Sequence, residues 1–266
     1  MPLSPLLAKY DNMLLDLDGC VWVGNTVTDR APEAIAELRA AGKAVAFITN
    51  DSRRSPEEYV RKLWSLGVRA SLEEVVTVGG AMQHVLADRG TATRTYVIGS
   101  RAVFRHVADA GQRIVNGTAR AAEAELVVVA GHDEFDFDEL RTATRAVLAG
   151  AEVIAADRDP TFPTDDGVSP GTGPIVAALE FATGAVARIV GKPEPQVFYT
   201  ALDRLGPGDT LVVGDRLDAD LAGAAAAGLD AAIVLTGVTS AEQAEAARDP
   251  APVAVAADLR SLVMGR

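Results

Sequence analysis

The sequence predicts an α/β protein built on a mainly parallel sheet, with a second α/β region inserted into the first. Short apolar runs alternate with longer amphipathic stretches, which is the pattern of repeated strand–helix units. Polar or ionisable residues follow directly on four of these runs, and those four lie on both sides of a middle block that has its own strand–helix series.

Residues 12–17, 43–49, 188–191 and 210–214 read as buried strands, and 31–41, 56–66, 195–205 and 217–227 as helices. The helix over 31–41 is introduced by Asp29, has Pro32 near its start and Gly42 at its end; that over 56–66 follows Ser55 and begins with Pro56. Both match the usual start and stop chemistry. The middle series has strands at 95–98, 126–129 and 152–155, and helices around 101–110, 138–148 and 172–183. The expected organisation is therefore a core of residues 1–79 and 187–266, interrupted by a smaller α/β domain at 80–186. No repeat of fixed period marks a solenoid.

Of the 266 residues, 48% are hydrophobic and 23% charged, the balance of a globular chain and not of a disordered or coiled-coil one. A total of 25 Lys and Arg against 37 Asp and Glu leaves a formal charge of −12, which argues against nucleic-acid and anionic-membrane partners. The single cysteine, Cys20, excludes an internal disulfide framework and a Cys-based zinc site. The first residues lack a basic stretch followed by a long apolar one, and no apolar run reaches the roughly 20 residues that span a bilayer. A cytoplasmic location is expected.

The ionisable strand ends are Asp16-Leu17-Asp18-Gly19, Thr49-Asn50, Gly191-Lys192 and Gly214-Asp215. In an open parallel sheet the carboxyl ends of the strands form the ligand crevice, so residues far apart in sequence converge there. Three aspartates, a lysine and a hydroxyl make a site suited to Mg²⁺ and a phosphate: hard oxygens hold the metal and the lysine balances the oxyanion.

Taken in order, these four segments, the last continuing as Arg216-Leu217-Asp218-Ala219-Asp220, resemble the motifs of the haloacid dehalogenase superfamily of phosphatases. The insertion between the second and third motifs resembles the branch with an α/β cap. So do Ala156-Asp157-Arg158-Asp159-Pro160, Pro170-Gly171-Thr172-Gly173 and Gly191-Lys192-Pro193-Glu194-Pro195, which are similar to p-nitrophenyl phosphatase, phosphoglycolate, glycerol-3-phosphate and pyridoxal phosphatases. The resemblance implies a Rossmann-like parallel-sheet core with a smaller inserted cap that closes over the crevice. It also implies a homodimer formed through the cap.

By the same resemblance, Asp16 is the nucleophile that forms an aspartyl-phosphate. Mg²⁺ is held by Asp16, Asp215 and the backbone carbonyl of Asp18. Asp18 protonates the leaving group and then activates water, and Gly19 lets the backbone turn away so that its side chain escapes the metal. Thr49, Asn50 and Lys192 bind phosphate, Asp220 supports the metal waters or the lysine, and Asp157 and Arg158 form a substrate-facing cap loop with Phe162 beside them.

Each residue also has a structural use. Asp16 and Asp18 can end a strand in a turn, and Asp215 and Asp220 can charge a helix start. Lys192 can be a solvated lysine, and Gly171-Thr172-Gly173 is best explained as a helix N-terminus. Cys20 suits a small buried filler, Trp22 and Trp64 core or cap-facing positions, and Asp218 an exposed helix-start acid. His84, His106 and His132 have no ligand spacing. Two departures from the resembled pattern stand out. Asp51 replaces a second Asn and introduces a carboxylate that Arg53 and Arg54 can offset, and Ala219 replaces a hydroxyl residue.

The leading expectation is a Mg²⁺-dependent phosphomonoesterase acting on a small phosphate ester, glycerol 3-phosphate or phosphoglycolate first. A pyridoxal phosphate, nucleotide or sugar phosphatase is the alternative, which would place a stacking or base-reading pocket at 157–168. A catalytically weak metabolite sensor, and last a phospho-accepting receiver domain, are the rivals from other classes.

Overall fold

A computed structural model describes residues 3–164 and 167–265; of the pocket expected at 157–168, Asp165 and Asp166 lie outside the described residues. The chain forms two compact units. The first comprises Met1–Thr49, Pro56–Val76 and Lys192–Arg266, and the second Asn50–Ser55 and Thr77–Gly191.

The first unit begins with β1 (Asn12–Asp16), a small hairpin of β2 (Trp22–Val23) and β3 (Thr26–Val27), α1 (Ala31–Ala40), β4 (Ala44–Thr49), α2 (Pro56–Ser65) and β5 (Val75–Thr77). Every residue of β1 is buried, as expected of a central strand covered on both faces. The helix start expected at Asp29 falls one residue later. Arg30 is the N-cap, in the left-handed region at φ 47°, without a side-chain cap bond. Ala31 closes this turn by donating to the Thr28 carbonyl at 3.1 Å.

The second unit continues with α3 (Val78–Ala87), β6 (Arg94–Ile98), α4 (Arg101–Asp109), β7 (Arg113–Ile114), β8 (Leu126–Val129), α5 (Phe137–Leu148), β9 (Glu152–Ala155), β10 (Thr161–Thr164), β11 (Gly167–Pro170), α6 (Thr172–Thr183) and β12 (Arg188–Ile189). Its sheet runs β12-β9-β8-β6-β7, parallel in every pairing, around a core that includes Ile98, Val127, Val129, Val176 and Leu179. Two sequence expectations are corrected here. The run 188–191, read as a strand of the core, pairs instead with β9, Arg188 opposite Ile154 and Ile189 opposite Ala155; a two-residue strand carries no periodicity that could assign it to a sheet. Residues 50–55, expected in the core, group with the second unit, where Gly131 N–H donates to Ser52 Oγ at 3.1 Å and Ser100 Oγ to the Ser52 carbonyl at 3.3 Å.

The chain returns to the first unit through α7 (Gln196–Leu205), β13 (Thr210–Gly214), α8 (Ala222–Ala226), β14 (Asp230–Val234), α9 (Ala241–Ala246), β15 (Ala254–Ala256) and α10 (Leu259–Met264). The completed sheet has the order β15-β14-β13-β1-β4-β5. β1 pairs in parallel with β13 on one side and β4 on the other, so the chain winds outward in both directions from it. That makes the carboxyl end of β1 the topological switch point, where open α/β sheets bind ligands. The helix expected over 217–227 is split into one wide π turn, Leu217–Leu221, and α8. No helix is long and apolar enough to cross a membrane among the described residues.

Candidate active site

Asp16 is the last residue of β1, Thr49 the last of β4, and Asp215 the first after β13, so three adjacent parallel strands deliver them to one end of the sheet. All three are buried, as are Lys192 and Asp220. Lys192 Nζ donates to Asp16 Oδ1 at 2.7 Å and to Asp220 Oδ1 at 2.6 Å. The other oxygen of Asp220 accepts from the backbone N–H groups of Asp215, at 3.1 Å, and Arg216, at 3.0 Å. The π turn that replaces regular helix presents Asp220 to both, a local irregularity of the kind that gathers at functional sites. Asp220 therefore anchors the lysine and the loop bearing Asp215.

Asp215 Oδ2 accepts from the Val238 N–H at 2.6 Å, whereas Oδ1 is buried with no hydrogen-bond partner. An orphaned buried carboxylate oxygen is costly. Ligand oxygens of Asp16, Asp215 and Asp220 lie within 4.8 Å of one another. With Asp220 committed to Lys192 and two backbone donors, Asp16 and Asp215 are the pair left to a hard divalent cation, and an oxygen donor set of this kind fits one.

The electrostatics point the same way. Burial, and then the Asp220 charge, push the Asp16 carboxyl well above the usual carboxylate range, with Lys192 pulling it back. Burial and Asp220 raise Asp215 to about 6. Burial works against the Lys192 ammonium, but Asp16 and Asp220 outweigh it and hold its pKa above the ordinary lysine value. Three carboxylates and one ammonium leave an excess of negative charge that a cation would neutralise.

Gly19 sits at φ 83°, and a Cβ there would strike the Asp215 carboxylate. The backbone passes so close because Gly19 N–H donates to the Trp22 carbonyl at 2.7 Å, closing the turn that carries Asp18. Asp18 Oδ1 accepts from Trp22 Nε1 at 2.8 Å.

The other expected residues fall in the second unit. Asn50 Nδ2 donates to Asp159 Oδ2 at a long 3.5 Å. Asp157 is buried; Oδ1 accepts from Asp159 N–H at 2.9 Å and Oδ2 from the Thr172 hydroxyl at 2.9 Å. Burial and the Asp159 charge raise its carboxyl to about 7. Arg158 forks onto Glu180 at 2.6 and 2.9 Å. Gly171 is the N-cap of α6, and a Cβ on Gly171 or Gly173 would meet the Asp159 or Arg158 carbonyl, which supports the structural reading of that loop. Asp51 accepts from Arg53 Nε at 2.8 Å, so the extra carboxylate is paired as expected, and the Arg53 guanidinium lies 3.3 Å from the Phe162 ring centre.

Cys20 is fully buried and Asp218 is exposed beside Arg216, both as expected. Trp64 is 62% exposed, which removes the core alternative expected for it; its indole N–H donates to the Ala70 carbonyl at 2.8 Å. The sequence reading missed the segment after β14. Thr236 Oγ1 donates to the Gly19 carbonyl at 2.5 Å, Val238 N–H grips Asp215, and a Cβ on Gly237 would collide with the Asp215 carboxylate. The one available signal was the glycine in Leu235-Thr236-Gly237 after an apolar run.

The site and the fold together define a hydrolase of the haloacid dehalogenase type. The chain matches the family model of haloacid dehalogenase-like hydrolases over residues 13–113 and a second, HAD-hydrolase-like model over 189–262; it belongs to this family and is a phosphoric monoester hydrolase. Among curated proteins it is 38% identical to the D-glycerol 3-phosphate phosphatase of Mycobacterium tuberculosis, over 98% of this chain and 73% of the relative. It is 33% identical to chronophin of Bos taurus, over 92% and 87%. Among solved structures, the M. tuberculosis glycerol phosphate phosphatase in complex with magnesium superposes with a TM-score of 0.89 at 38% identity, covering 98% of this chain and 78% of that one.

Proposed function

We propose that the protein is a Mg²⁺-dependent phosphomonoesterase that hydrolyses a small phosphate ester through an aspartyl-phosphate on Asp16, with glycerol 3-phosphate the first candidate. The observation that carries this is the buried pairing of Asp16 with Lys192 beside an orphaned Asp215 oxygen. The substrate follows from the name of the 38% identical relative, and magnesium from the complex of its namesake structure.

Asp16, Asp215 and the backbone carbonyl of Asp18 are the donors for Mg²⁺, which when bound supplies the positive charge that offsets repulsion between carboxylate and phosphate. Lys192 fixes one Asp16 oxygen and leaves the other to attack phosphorus as the ester P–O bond breaks. Asp18 gives its proton to the leaving alkoxide, then takes one from the water that attacks the aspartyl-phosphate, releasing phosphate and restoring the Asp16 carboxylate. Thr49 and Asn50 donate to the phosphate oxygens. The second unit serves as the cap that selects the substrate.

Phosphate release from glycerol 3-phosphate, phosphoglycolate, pyridoxal phosphate, sugar phosphates and nucleotides, with and without Mg²⁺, tests this reading. Metal-dependent release that ranks glycerol 3-phosphate first and disappears in Asp16→Asn is the expected result. Full activity in Asp16→Asn would remove the covalent route.

A further inference from the structure

Trp22 donates a side-chain hydrogen bond to Asp18, a proposed reacting group, and nothing in the mechanism above uses it. It opens β2, directly beyond the turn that carries Asp18, and is fully buried. Two residues of α2 pack on its ring: Tyr59 stacks on it at 6.3 Å with planes 6° apart, and Lys62 Nζ lies 4.1 Å from the ring centre. Lys62 is itself tied to the Gly24 carbonyl at 2.9 Å. The main chain is locked as well, since Trp22 N–H donates to the Leu17 carbonyl at 3.1 Å and its carbonyl accepts from Gly19. These contacts orient the indole so that its Nε1–H donates to Asp18 Oδ1 with Nε1 2.8 Å from that oxygen.

We infer that Trp22 is a positioning residue whose indole N–H fixes the Asp18 carboxyl group for both of its proton transfers. This rests on the acid–base role proposed for Asp18. A buried indole needs an acceptor, but a backbone carbonyl would satisfy it; here the acceptor is the one carboxyl group that must work in two protonation states. The indole is a donor only. It can therefore bond a carboxylate oxygen or the carbonyl oxygen of the protonated acid, and the contact persists through the cycle. A hydroxyl or amide partner could exchange roles and let the group rotate.

The test replaces Trp22 by 3-benzothienylalanine, in which sulfur takes the place of the N–H while the ring, the Tyr59 stack and the Lys62 contact remain. A positioned acid is worth about 10²–10⁴ in rate, and its partial misplacement should lower kcat for glycerol 3-phosphate by roughly 10-fold. The loss should be smaller for p-nitrophenyl phosphate, whose leaving group departs without a proton, and KM should stay constant. Trp64→Phe, far from this contact in role, should leave both esters unaffected. Should the isostere fold poorly, Trp22→Phe measured alone and in an Asp18→Asn background gives the same answer: no further loss in the double variant is expected. Unchanged rates in the isostere, or losses that multiply in the double variant, would overturn the role of Trp22 alone. No release from either ester by the unmodified protein would overturn the phosphatase reading, and this role with it.

Discussion

Lys192 lies between two buried carboxylates, and taking its ammonium away leaves both without a cation. Breaking a buried ion pair from one side costs about 3–5 kcal/mol, so Lys192→Met should lower the urea midpoint accordingly as well as abolish turnover. Asp16→Asn should behave in the opposite way for stability. The raised pKa of Asp16 means that its charge is less favourable in the folded than in the unfolded chain at neutral pH. The neutral amide should therefore raise Tm at pH 8 without metal, although no phosphate is released. An Asp16→Asn protein less stable than the parent at that pH would show that the carboxylate is net stabilising.

Strands with ionisable ends were legible because burial on both faces makes an uninterrupted apolar run, and chemistry placed after such a run must sit at the sheet's edge. That logic reached Asp16, Thr49 and Asp215. It misassigned 188–191, where Lys192 reaches Asp16 from the connection that follows a strand of the other sheet. Nor could it foresee the π turn, since the turn answers to the bonds from Asp220 to two distant-looking backbone donors. The loop after β14 was nearly hidden for a related reason: it holds Asp215 through the Val238 backbone N–H, which has no side-chain signature, and Gly237 was its one trace in the sequence. Its importance can be measured. Gly237→Ala places a methyl group against the Asp215 carboxylate, and displaced supports of this kind typically cost 10–100-fold in metal affinity. Titration with Mg²⁺ should show a shift of about that size, whereas an unchanged affinity would mean that the loop yields freely.

At the scale of the whole molecule, the acidic groups set how stability should respond to pH. Asp16, Asp215, at about 6, and Asp157, at about 7, all titrate above the ordinary carboxylate value in the folded chain. Between that ordinary value and the raised ones the folded chain binds more protons than the unfolded chain, so stability falls as pH rises through roughly 4 to 7. A divalent cation held as proposed would bind the deprotonated forms of Asp16 and Asp215 and compete with their protons, whereas Asp157 is not among the proposed ligands. The Tm gain on adding Mg²⁺ should therefore grow from pH 5 to pH 8, reaching roughly 5–10 °C at 100 times the dissociation constant. Asp157→Asn should remove the part of the pH dependence that Mg²⁺ does not relieve, and leave the metal-dependent part in place. Thermal scans across that pH range decide it: a gain independent of pH would mean that the cation does not displace protons from Asp16 and Asp215, and that the orphaned oxygen of Asp215 serves some other ligand.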